Sequence, residues 1–221
     1  MADQGQPVWG TPDPVTPVSR TPAPPRAGRL TPALTAALQS GDEFEIVENA
    51  DFLGDGGYEL STTEGARVGT VVRETTGAGL FFGDAVTSQY LVYDGEGASA
   101  ADMVREGSFT GTGRSELHDI QGTPLGSVEV DGAFFGPPQL RILGANGRYL
   151  RLIGGSWING NAIEVVSDDA EPVVMANVQR SVHGFFSGTH RYWVGLSPSL
   201  SPVDRFLIMI AVIRVDEVKD R

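Results

Sequence analysis

The sequence predicts a mainly β protein, a closed barrel of about twelve strands built from hairpins and enclosing a hydrophobic C-terminal α-helix. Two observations carry this. First, the chain closes on Ser201-Pro202-Val203-Asp204-Arg205-Phe206-Leu207-Ile208-Met209-Ile210-Ala211-Val212-Ile213-Arg214, a helix apolar on every side, and a helix without a polar face must be enclosed. Second, from Phe44 onward an apolar residue is followed five positions later by Gly, nine later by a small or turning residue and eleven later by another apolar residue. Leu60, Gly65, Gly69 and Val71 set the pattern, and Leu117, Gly122, Gly126 and Val128 repeat it. Looser copies run through Val92, Gly97, Ala101 and Met103, through Ile142, Gly147, Arg151 and Ile153, and through Val165, Ala170, Val174 and Ala176.

Each copy has the form of a β-hairpin, with alternating residues on both arms and a turn carrying Gly, Asn or Asp between them. Five hairpins supply ten strands, and residues 44–48 and 192–196 complete twelve. Asn146-Gly147, Asn159-Gly160 and Asp168-Asp169 are turn signals within this scheme. One segment conflicts: residues 98–106 have helical propensity where the repeat demands extension. The C-terminal helix, about 202–215, is marked by Ser201 as cap, Pro202 at the first helical position and Asp204 as the acid three residues after the cap. Its core residues are Phe206, Leu207, Ile208, Met209, Ile210, Val212 and Ile213.

Residues 1–40 differ from the rest. They hold eight of the fourteen prolines, with Thr-Pro recurring at Thr11, Thr16, Thr21 and Thr31. Such a segment buries too little apolar surface to order itself, so residues 1–40 are expected as a disordered Pro/Thr-rich tail and residues 41–221 as the barrel domain. The tail is open to two readings, a solvated tether or a docking segment regulated at its threonines, with a polyproline stretch at Pro22-Ala23-Pro24-Pro25. Residues 33–39 suit one short helix leading into the domain.

The 221 residues carry a net charge of −12. The first forty, with three arginines against two aspartates, sum to +1, which leaves −13 on the domain. That balance disfavours nucleic acid and anionic membranes as general partners. With no cysteine there is no disulfide, thiolate metal site or cysteine nucleophile. Three histidines leave little for zinc, and no cofactor or metal is expected. No signal-peptide pattern is present, which predicts a cytoplasmic protein. The apolar run 206–213 covers roughly 12 Å of a ~30 Å hydrocarbon layer, and Asp204, Arg205, Arg214 and Asp216 fence it on both sides. Burial in protein is therefore expected.

The segments Tyr58-Glu59-Leu60-Ser61-Thr62-Thr63-Glu64-Gly65, Gly122-Thr123-Pro124-Leu125-Gly126-Ser127-Val128, Pro138-Gln139-Leu140-Arg141-Ile142 running into Leu150-Arg151-Leu152-Ile153, and residues 162–179 leading to the apolar helix resemble the phospholipid scramblase family and its LURP-one-related relatives, in the Tubby C-terminal-like superfamily. Order and spacing match from about residue 44 to 217, and the proline-rich leader resembles the family's N-terminal region. The resemblance implies a twelve-stranded barrel threaded by the last helix. It also implies binding of phospholipid or a membrane interface at the inner face of the plasma membrane, with movement of phospholipid between leaflets as the associated activity. The chain departs from the family where calcium is held: the segment before the last helix, residues 186–199, contains no Asp or Glu, and calcium needs several such oxygens. The family's cysteine-rich segment is missing, and no dense basic run matches the Tubby phosphoinositide pocket.

Candidate ligand-binding residues are few. Arg141, Arg148 and Arg151 lie on two arms of one hairpin, where they either form a solvated face or jointly hold a phosphate; parity pairs Arg141 with Arg151. His190-Arg191-Tyr192-Trp193 combines a cation with two aromatics, which suits Arg191 and Trp193 to a membrane interface or a stacked ligand. In the alternative, Tyr192 and Val194 face the core and His190 is polar edge. His118 and Asp119 point to opposite faces of a strand and form no dyad. With no nucleophile elbow and no phosphate-binding glycine loop, no catalytic set is assigned. The expected function is thus a non-enzymatic, lipid-associated barrel; the alternative is a soluble adaptor whose barrel and Thr-Pro tail bind protein partners. Replacing Ile210 by Asp is expected to unfold the protein, because an unpaired buried charge costs several kcal/mol. A circular-dichroism melt of I210D that retains a cooperative transition would contradict burial of the helix.

Overall fold

The computed structural model describes residues 28–49, 56–74, 87–107, 113–131, 139–144, 147–154, 162–183 and 189–219. A short helix, α1 (Pro32–Gln39), precedes twelve strands: β1 (Glu43–Asn49), β2 (Gly57–Thr62), β3 (Arg67–Glu74), β4 (Ser88–Asp94), β5 (Ser99–Arg105), β6 (Gly113–Asp119), β7 (Pro124–Asp131), β8 (Gln139–Gly144), β9 (Tyr149–Gly154), β10 (Ala162–Ser167), β11 (Val174–His183) and β12 (Thr189–Leu196). The helix α2 (Pro202–Lys219) follows. Every strand pairs antiparallel with its chain neighbour, and β1 pairs with β12 to close the barrel. The segment with helical propensity is strand β5, because its inward residues Ala101 and Met103 are needed in the core.

The repeat corresponds to one recurring turn. In Thr62–Ala66, Asp94–Ala98, Asp119–Thr123 and Gly144–Arg148, the first amide donates to the carbonyl of the fifth residue, and the fourth residue's amide returns to the first carbonyl. That fourth residue is Gly65, Gly97, Gly122 or Gly147, with φ between +75° and +85°, a conformation open to glycine at little cost. Four hairpins also carry a bulge beside the first apolar residue of the repeat, at Leu60, Val92, Leu117 and Val165. The extra residues on the returning strands, Val68, Ala100, Leu125 and Met175, are all buried. Bulges increase local twist and bend a sheet, and here they turn four additional side chains inward at the end where α1 sits. Asn159-Gly160 lies outside the described residues.

The structure moves the expected domain boundary. Residues 28–39 are packed against the barrel, with Leu30, Leu34 and Leu38 in the main core. Gly28 N–H donates to the carbonyl of Pro124 at 2.9 Å. Thr31 caps α1, accepting from the Leu34 amide, so this Thr-Pro pair is a helix start with Pro32 at its first position. The rest of the expected tail, residues 1–27, lies outside the described residues. Two hairpin turns hold the segment down. Asp94 accepts from the amides of Glu96 and Ala98 with one carboxylate oxygen and from Thr31 Oγ1 with the other. Asp119 does the same with Gln121, Thr123 and the Arg29 amide.

Helix α2 runs through the barrel. Residues 206–213 are at most 1% exposed, and the cap reads as expected, with Ser201 Oγ accepting from the Asp204 amide and donating to its carboxylate at 2.7 Å. The helix continues to Lys219, four residues beyond the expected end. It lies closest to β8 and β7: a Cβ built on Gly126 would stand 2.4 Å from the carbonyl oxygen of Leu143 and 2.7 Å from Leu207 Cδ1. The helix is therefore off-centre, and larger side chains, Phe44, Tyr90, Arg105 and Tyr192 among them, fill the remaining interior. Among the described residues no helix is long and apolar enough to cross a membrane.

Burial pushes the Asp119 carboxyl up, but the amides of Thr123, Arg29 and Gln121 more than offset this and hold it below the usual carboxylate range. Its folded pKa is thus below the unfolded value of 3.8. The stability it contributes is complete above that value and is lost as pH falls through the folded one. Asp119→Asn is expected to flatten the acid limb of a stability–pH curve measured by urea unfolding between about pH 2 and pH 5.

Candidate functional site

Five short hairpin turns lie at the α1 end of the barrel, and the polar interior lies at the other end, around the last turns of α2. The side chains there follow from strand parity. On β1 the inward series Phe44, Ile46 ends in Glu48; on β5 Ala101, Met103 ends in Arg105; on β11 Ala176, Val178 ends in Arg180; and β12 enters with His190 before Tyr192 and Val194. On the facing wall the inward residues at this level, Val130, Leu140, Leu152 and Ile163, are apolar. The polar groups thus gather on the β11, β12 and β1–β5 side, away from the wall against which α2 packs.

Two carboxylates of α2 organise the cluster. Asp216 is fully buried. Tyr58 donates to its Oδ2 at 3.2 Å, and Tyr192 donates to Oδ1. His190 Nδ1 lies 2.8 Å from Oδ1 and 3.3 Å from Glu48 Oε2, and Arg180 Nη2 stands 3.8 Å from Oδ1. The adjacent Glu217 receives Tyr90, Arg214 and Arg105, the last at 3.5 Å. Burial, followed by the negative charges of Glu217, Asp216 and Glu48, pushes the Tyr58 phenol far up; burial and Glu217 raise Tyr90 likewise. Both phenols therefore remain protonated donors through the neutral range.

Glu48, His190 and Asp216 bring three ligand atoms within 4.8 Å of one another; His190 belongs to the carboxylate-free segment 186–199, and both carboxylates come from outside it. The donor set is nevertheless committed to the protein. Asp216 already accepts two phenols, and a guanidinium faces His190 Nε2 at 2.5 Å, where the outer nitrogen of a metal-bound histidine normally donates to an acceptor. A divalent ion would have to displace the Arg180 contact. The arrangement suits fixing the end of α2 to four strands.

Two sequence expectations change here. Asp204, Arg205, Arg214 and Asp216 do not fence the helix in solvent; all four are at most 9% exposed, because the barrel extends past both ends of the apolar run. At the other end, Arg205 donates to the carbonyls of Leu38 and Gly41 and to Asp42, at 3.0, 2.6 and 2.6 Å, joining α2 to α1 and to the start of β1. His190 is not polar edge but buried centre, while Tyr192 and Val194 do face the core. His118 lies 3.9 Å from Asp102, and Asp119 belongs to its turn.

On the outer face, register sets Arg141 opposite Arg151, as parity predicts, and opposite Glu129 on the other side. With Tyr149, Leu150 and Asp168 they line a depression of about 250 Å³. Arg151 approaches Asp168 at 3.7 Å. Arg148 stands apart at the turn and donates to Asp169 at 2.9 Å. Bonds from Ser167 and Arg148 hold the Asp169 carboxyl below its usual range. Arg191 pairs with Glu45 at 3.2 Å, and Trp193 stands beside that neutral pair, 37% exposed.

No family model, curated protein or solved structure matches this chain. Asp216→Asn keeps the shape but leaves Arg180 facing a neutral partner. We expect a loss of about 3 kcal/mol, read from urea unfolding, with α2 amides exchanging faster with deuterium at the C-terminal end than at the capped end.

Proposed function

We propose that this protein is a non-enzymatic, scramblase-like lipid-associated barrel that binds the phosphate of a phospholipid headgroup from outside, at Arg141 and Arg151. The observation that carries the reading is the pairing of these two guanidiniums at directly opposed positions of β8 and β9, beside the half-exposed ring of Tyr149. Like charges in that relation destabilise a sheet; Glu129 and Asp168 at the edges of the depression offset part of this, and a phosphate between the two guanidiniums adds charge-assisted hydrogen bonds to both. Tyr149 supplies an amphipathic ring suited to the headgroup level. The apolar interior is filled by α2, which favours the outer surface for a lipid. A net charge of −12 opposes broad adsorption on anionic membranes, so contact is local and peripheral, at the inner face of the plasma membrane. Help with movement of phospholipid between leaflets is the finer part of the reading and would also proceed along the outside of the barrel.

The test is co-sedimentation with vesicles of phosphatidylcholine containing an anionic phospholipid. Arg141→Glu with Arg151→Glu is expected to reduce the bound fraction at least tenfold, with an unchanged melting profile, while Arg148→Glu has a small effect. Equal binding by the double variant and the parent, or no binding by the parent, removes the proposal.

A further inference from the structure

A second outer-face feature lies on β11, β12 and β1, away from the arginine pair. Gly195 has no side chain and sits between Glu43 and Asn177 in register. The gap opens two adjoining depressions: one toward Trp193, Gln179 and Thr63, the other toward Val174 and Ser197. The result is a groove across β12, with Trp193 as one wall and Val174, 43% exposed, at the opposite end.

We infer that this groove is a docking site for an arginine-flanked polyproline segment, and that the occupant is residues 20–26 of a second copy of this chain. The chemistry of the two surfaces matches. A polyproline helix presents carbonyl acceptors and rigid pyrrolidine faces, and its prolines have no N–H to offer. The groove offers what such a ligand lacks: the indole N–H of Trp193 and the side-chain amides of Asn177 and Gln179 are donors, and the indole face packs on proline rings. Its charge is negative, with Glu43 exposed on the rim. The sequence Arg20-Thr21-Pro22-Ala23-Pro24-Pro25-Arg26 is basic at both ends and has no acid. It is therefore the complementary piece of an otherwise acidic protein.

The chain path excludes its own groove. Gly28 is fixed to Pro124 on β7, five strands from β12, which is roughly 24 Å along the wall at about 4.8 Å per strand. Arg26 is two residues from that anchor and reaches only about 7 Å, so although Arg20, eight residues away, reaches about 28 Å, the segment with both its arginines cannot lie along the groove of its own chain. The segment can enter the same groove of a neighbouring molecule, whose own segment is then available in turn.

The inference is independent of the lipid reading and is tested on the full chain. A fluorescent synthetic peptide of residues 18–28 is titrated with the protein by anisotropy, and self-association is followed by sedimentation velocity. Saturable binding is expected, weakened at least tenfold by Trp193→Ala and by Glu43→Lys in proteins with unchanged circular dichroism, and abolished by Arg20→Glu with Arg26→Glu in the peptide. The same double change in the full chain is expected to shift it to monomer. No saturable binding, or binding indifferent to both groove variants, overturns the docking site. Peptide binding with a chain monomeric at every concentration overturns the second copy as occupant and leaves a partner peptide. Displacement of the peptide by anionic vesicles would assign the face to a membrane and overturn the inference.

Discussion

The structure depends on a reciprocal need for enclosure. A helix with no polar face cannot exist in water without a wall around it, and a ring of twelve strands is too wide for its own inward side chains to fill. Each solves the other's problem. The apolar run of α2 meets an inner wall of Phe44, Leu60, Val92, Met103, Leu117, Ile142 and Val178, and among the described residues neither surface has another partner of comparable size. The bulges and the recurring glycine turns follow from this. A sheet wrapped around a helix must curve, and extra residues at four hairpins supply curvature together with apolar volume under α1.

Polar chemistry concentrates at the two ends because the helix has two ends to satisfy. At the entrance Arg205 bonds carbonyls of α1 and the β1 lead-in, replacing solvent for groups that α2 and α1 cover. At the far end Asp216 and Glu217 receive phenols and guanidiniums from β2, β4, β5, β11 and β12. Buried charges of this kind stabilise little in net terms, since desolvation offsets most of the attraction. Their effect is on specificity: a helix held only by apolar contacts could slide or rotate, whereas these bonds set its depth and angle in the barrel.

The fold was legible because its signals are local and periodic. Alternation gave the strands, the fifth-position glycine gave the turns, and Ser201-Pro202 with Asp204 gave the start of α2. The polar end was not legible, because Glu48, Arg105, Arg180, His190 and Asp216 each look like surface residues when charge alone is considered. Parity held the missing signal: Glu48 continues the inward series of Phe44 and Ile46, Arg105 that of Ala101 and Met103, and Arg180 that of Ala176 and Val178. The attachment of residues 28–39 was hidden for a different reason. Its anchors, Asp94 and Asp119, lie 63 and 90 positions away from the groups they hold, and nothing within a short window announces such a pairing. The outer-face arginines were legible as a pair because their separation is fixed by a single hairpin.

The order of elements along the chain has a consequence for assembly. Neighbouring strands can pair as they leave the ribosome, but the closing pair joins β1 to β12, with Phe44 opposite Val194, and the plug follows both. Until α2 emerges, eleven hairpin contacts can exist around an unfilled apolar trough with two open edges. Such an intermediate is prone to edge-to-edge association. Because α2 follows every strand of the wall, wall and plug are completed together, and the helix is the element that converts a sticky curved sheet into a finished barrel.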